Sequence, residues 1–106
     1  MARQIDTKIS EVGASNTVGV DINLTPVNVA IAVMLSDGAT LTYTVEHTYN
    51  DIWSAHNPDE IVWFPFIENQ SANSDGYYAF PIAGVRVRVT QHTSGTATLR
   101  VLQAGI

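Results

Sequence analysis

Residues 85–102 read VRVRVTQHTSGTATLRVL. Val85, Val87 and Val89 alternate with Arg86, Arg88 and Thr90, and after Thr93-Ser94-Gly95 the alternation returns as Leu99 and Val101 against Thr98, Arg100 and Leu102. A period of two is that of a strand with one face buried and one in water. The parity of the two runs selects a three-residue loop with Gly95 in the left-handed conformation, because a two-residue turn would set inward residues opposite outward ones. In a direct hairpin that register places Arg88 across from Arg100, and like charges face to face destabilise a ladder.

The same pattern extends upstream. Leu41, Tyr43, Val45 and His47 alternate with Thr40, Thr42, Thr44 and Glu46. Val27, Val29, Ile31, Val33 and Leu35 oppose Asn28, Ala30, Ala32 and Met34, so this strand is apolar on both faces. Either a second layer covers each side, or the Ala30, Ala32 and Met34 face packs on another copy as a homodimer or homotrimer. Asp37-Gly38 lies between these two runs and again fits a three-residue loop, pairing Val33 with Leu41 if the strands are neighbours. Val18, Val20 and Ile22 begin an earlier strand that ends by Pro26. Ile61 to Ile67 is dense in apolar residues but interrupted by Pro65, which confines it to a sheet edge. Tyr77 to Ile82 forms a short strand around Pro81. Between Tyr49 and Glu60 a long loop with one helical turn is expected, capped by Asn50 or Asp51.

About seven or eight short strands, with turn signals at intervals of roughly ten residues, specify an all-β chain folded as a compact antiparallel β-sandwich or jelly-roll-like barrel. Residues 1–15 hold Arg3 and Lys8 among scattered apolar groups and read as an N-terminal arm, leaving residues 16–106 as a single domain. A chain of 106 residues has room for one core. Five Lys and Arg against ten Asp and Glu give a net charge of −5, the wrong sign for a nucleic-acid partner. The absence of cysteine excludes thiol chemistry and thiolate metal sites. No run has the length of a signal peptide or a membrane span, so a soluble protein without a membrane partner is expected.

Little in the sequence suggests catalysis. His47, His56 and His92 have no metal-ligand spacing, and the adjacent Asp59 and Glu60 point apart rather than flanking one bond. There is no nucleophile elbow and no phosphate-cradling glycine loop. No cofactor and no enzymatic activity are expected. Asn23-Leu24-Thr25 and Asn69-Gln70-Ser71 match a glycosylation pattern that matters only in an exported chain. Trp53, Trp63, Phe64 and Phe66 either fill the core and cover a sheet edge or form a platform for sugars. The outward Arg86, Arg88 and Arg100 require compensation, from Glu46 or Asp75 of the same chain, from solvent, or from an acidic partner surface.

The runs TYTVEHTYND, IVWFPF and DGYYAFPIAGVRVRVTQHTSGTATLRVLQAG resemble small virion proteins of tailed bacteriophages, particularly capsid decoration (cement) proteins built as compact β-barrels or jelly rolls. The resemblance covers the chain from Thr40 onward, and its motifs are architectural. It implies a structural virion protein made in the host cytoplasm and located on the capsid surface, where it bridges subunits of the major capsid protein. On that expectation Arg86, Arg88 and Arg100 face the shell, and the arm adds Arg3, Ile5 and Lys8 as a second anchor. The alternative is a carbohydrate-binding or host-recognition module of a phage tail or fibre.

Overall fold

The computed structural model describes residues 2–20, 28–50, 52 and 60–104. Among them nine strands occur and no α-helix: β1 (Ala2–Ile9), β2 (Gly13–Ala14), β3 (Val18–Gly19), β4 (Val29–Leu35), β5 (Thr40–Thr48), β6 (Trp63–Gln70), β7 (Ser74–Tyr78), β8 (Gly84–Ser94) and β9 (Ala97–Ala104). They form two antiparallel sheets, one ordered β1-β9-β4-β7 and one ordered β2-β8-β5-β6, with β3 also on β8. The chain is a β-sandwich in which each sheet mixes strands from both halves of the sequence, as in a jelly roll.

Alternation sends one side chain in two into the space between the sheets. Val29, Ile31 and Val33 from β4 meet Leu99 and Val101 from β9 on one side, and Leu41, Tyr43, Val45, Val85, Val87 and Val89 close the core from the other. Tyr43 is fully buried, and its hydroxyl donates to the Ala72 carbonyl and lies 2.6 Å from Ser74 Oγ. No buried side-chain nitrogen or oxygen among the described residues lacks a partner, so the core incurs no penalty for stranded polar atoms. Pro65 lies in β6, at the edge of the five-stranded sheet, as its missing N–H requires.

Gly38 and Gly95 have φ of 73° and 93°, the left-handed geometry that loop parity demands. The strands they join do not pair. β4 and β9 lie in one sheet, β5 and β8 in the other, so both loops cross between the sheets. The two crossings sit side by side: Ser36 N donates to Thr96 O at 3.0 Å, and Thr96 N returns a bond to Ser36 Oγ at 3.0 Å. A left-handed glycine after two turn residues reverses the chain equally well within a sheet or across a sandwich. The Val33–Leu41 pairing and the Arg88–Arg100 pairing are therefore replaced: Val33 pairs with Leu99, Arg88 with Thr44, and Arg100 with Asp6 and Ala32.

The expected N-terminal arm is also corrected. Residues 2–9 are a full edge strand in unbroken register with β9, from Ala2 opposite Ala104 to Ile9 opposite Ala97. The tie continues beyond the strand. Ser10 Oγ lies 2.8 Å from Thr96 Oγ1, Gly13 and Ala14 pair with Val89 and Arg88, and Ser15 N donates to Val87 O at 2.8 Å. Residues 21–27, 51 and 53–59 fall outside the described set, and with them the end of the first expected strand, most of the expected helical turn, Trp53, His56 and Asp59. Asn50 Oδ1 accepts from Val62 N at 2.9 Å, fastening the start of β6 to the end of β5. The short strand expected from Tyr77 to Ile82 lies earlier, at Ser74–Tyr78, and Pro81 is outside it.

Candidate interaction surface

The three arginines do not form one patch. Val85, Val87 and Val89 point inward, which turns Arg86 and Arg88 to the outer face of the five-stranded sheet; Leu99 and Val101 likewise turn Arg100 to the outer face of the other. The two sets look in opposite directions. Each set also has a carboxylate of its own chain. Arg86 Nε donates to Glu46 Oε1 at 2.8 Å, and its guanidinium lies over the Trp63 ring at 4.0 Å from the centroid. Arg88 Nη1 reaches the other oxygen of Glu46 at 4.0 Å. Arg100 grips Asp6 with two bonds, Nε to Oδ1 at 3.0 Å and Nη2 to Oδ2 at 3.1 Å. That fork holds the Asp6 carboxyl below its ordinary range and raises the Arg100 guanidinium.

The proposed second anchor is likewise part of the sandwich. Ile5 is half-buried against the core of its own chain, while Lys8 is exposed on the outer face. Arg3 takes its place in β1 opposite Gln103.

The outer face of the four-stranded sheet sets an uncharged row beside a charged one. Across its middle run Gln4, Leu102, Ala30 and Tyr77, set side by side by the register of β1, β9, β4 and β7. The next row is Asp6, Arg100, Ala32 and Asp75, and beyond it Lys8, Thr98 and Met34. Leu102 is 41% exposed and Tyr77 72% exposed, with Ala30 exposed between them. No described element covers this face. Ala30, Ala32 and Met34 thus sit together as the alternation of β4 requires, and Leu102 and Tyr77 join them from neighbouring strands. Leu102 was visible as an apolar residue at an outward position of its strand, a departure from pattern that now acquires a neighbourhood.

The aromatic residues divide. Trp63 is taken up by Arg86, and Phe66 lies on Tyr78 with ring centroids 4.3 Å apart. Phe64 is 45% exposed beside exposed Tyr49, their rings inclined at 58°. Both rings adjoin His47, which is buried and whose Nδ1 lies 3.0 Å from the Tyr78 hydroxyl. Burial pushes the His47 imidazole below its ordinary value and the Tyr78 phenol above its own. His92 Nε2 lies 2.9 Å from Gly95 O. Among the described residues no group of His, Asp and Glu is placed to hold a metal ion.

No family model and no curated protein matches the sequence. The fold is similar to a solved structure described as "Bacillus endospore appendages form a novel family of disulfide-linked pili", with a TM-score of 0.51 and 10% identity, covering 100% of this chain and 88% of that one. At that identity the likeness concerns the arrangement of strands. The chemistry of the link does not carry over, since this chain contains no cysteine.

Proposed function

We propose that this chain is a structural subunit that acts by docking on the surface of an assembled particle, through the outer face of its four-stranded sheet. The observation that carries this reading is the row of exposed Leu102, Ala30 and Tyr77 in the middle of that face. The small side chains of the alanines let a partner approach the sheet closely, Leu102 and Tyr77 supply apolar anchors, and the Asp6, Arg100 and Asp75 row gives a polar margin. The resemblance of the chain from Thr40 onward to phage decoration proteins supports a phage head as the particle and its major capsid protein as the partner. The fold shared with a pilus protein is a second link to assembly. Without cysteine no contact here is a disulfide, and retention through a sheet face rests on many weak contacts repeated over a lattice.

Mass spectrometry of purified particles, followed by imaging of a labelled copy, tests the location. Ala30→Glu and Leu102→Glu then test the face: both side chains point to solvent, so thermal stability should hold while retention on the shell is lost. Full retention by both variants overturns the assignment. A carbohydrate-binding module is the second reading, favoured by the part-exposed Tyr49 and Phe64; it requires glycan binding that Phe64→Ala abolishes.

A further inference from the structure

The four lateral edges of the two sheets are not alike. β6 is interrupted by Pro65 and by two shifts in its pairing with β5. The opposite edge of that sheet is made of β2 and β3, two residues each. β7 spans only five residues. Short strands, proline and bulges are the devices by which sheet proteins keep other strands from adding to an edge. β1 has none of these: its eight residues run without proline, glycine or register shift, and no strand among the described residues pairs with its outer edge. Its charged residues are Arg3, near the start of the strand, and Asp6 and Lys8, which carry opposite signs and stand two residues apart on one face.

We propose that β1 is a self-complementary edge through which a second copy of this chain adds antiparallel, centred on Thr7, to make one continuous sheet from two four-stranded ones. In that register Asp6 faces the partner's Lys8 and Lys8 faces the partner's Asp6, while Ile5 meets the partner's Ile9 on the inner side. Charge alternates across the seam from Arg100 to Asp6 to the partner's Lys8. Neighbouring registers are poorer: centring on Asp6 or on Lys8 opposes like charges, and centring on Ile5 leaves Lys8 facing alanine. The partner is a second copy because the complementarity lies within β1 itself. A two-fold axis through the seam, perpendicular to the sheet, turns both Leu102–Ala30–Tyr77 rows to the same side. The pairing concerns the edge alone and does not depend on which particle the proposed docking face meets.

Sedimentation velocity over a concentration series should show a monomer–dimer equilibrium. Lys8→Glu alone and Asp6→Lys alone should each weaken it about tenfold or more, since two attractive pairs become repulsive. Mixing the two variants should restore dimers, because each then offers what the other lacks. Since the chain has no cysteine, Thr7→Cys introduces a single thiol, expected to cross-link readily on oxidation, whereas Gln4→Cys, whose opposite number is Ser10, should not. A wild-type monomer at every concentration, dimers indifferent to both charge variants, a mixture that stays monomeric, or equal cross-linking at positions 4 and 7 would each overturn the proposal. Ala30→Glu and Leu102→Glu should leave the dimer intact, which separates this seam from the docking face.

Discussion

Gly38 and Gly95 share a left-handed backbone but differ in their surroundings. A methyl group at Gly38 would have no heavy atom within 4 Å, whereas at Gly95 it would fall 2.3 Å from Ala39 Cβ and 2.6 Å from Ala39 Cα. Gly38→Ala should therefore cost about 1–2 kcal/mol, the conformational penalty alone. Gly95→Ala should cost clearly more in the same urea titration, because the two crossing loops must separate. His47 supplies a second test at this scale. Its folded-state pKa lies below the ordinary 6.5 because burial disfavours the imidazolium, so the unfolded chain takes up the proton first. Stability is then complete above 6.5, declines as the pH falls from there towards the folded-state value, and levels off below it. Asp6, held low by Arg100, acts only at more acidic pH, where its contribution is lost below the ordinary 3.8. Urea midpoints measured between about pH 5 and 8 should fall on the acid side, and His47→Gln should flatten that slope.

At the scale of the strand, the inward residues were legible because the core is one side chain deep from each sheet. Every inward valine of β8 is buried, and so are Leu41, Tyr43, Val45 and His47 of β5. Pro65 marked an edge for an equally local reason. Two properties were not legible. Turn parity reports the local backbone, and the same left-handed glycine serves a hairpin or a crossing, so the partners of β4 and β9 could not be read from the loops. β1 escaped notice because an edge strand covers only the margin of a core: Arg3 and Thr7 share a parity with Ile5 and Ile9, which dilutes the alternation. The exposed apolar row was half legible, since Ala30, Ala32 and Met34 lie on one strand while Leu102 and Tyr77 arrive by register. A decisive experiment for β1 is Ile9→Ala. Ile9 is buried at 8% exposure, so its truncation should lower unfolding free energy by about 2–4 kcal/mol in urea titration. A loose arm would show no change.

In the whole molecule, β1 and β9 are the first and last strands and lie side by side, with Ala2 opposite Ala104. A short glycine linker from residue 104 to residue 2, with the chain reopened between exposed Glu11 and Val12, turns this distant pair into a local hairpin. The permutant should keep its stability within about 1 kcal/mol and fold faster, as lower contact order predicts, in stopped-flow refolding. The natural order has a different consequence. β9 holds the centre of its sheet, between β1 and β4, and it is the last of the nine strands to leave the ribosome. Until it emerges, β1 has no neighbour and Leu102 does not exist. A chain that stops short of β9 cannot assemble that sheet, so translation products lacking this strand are rejected by their own inability to fold.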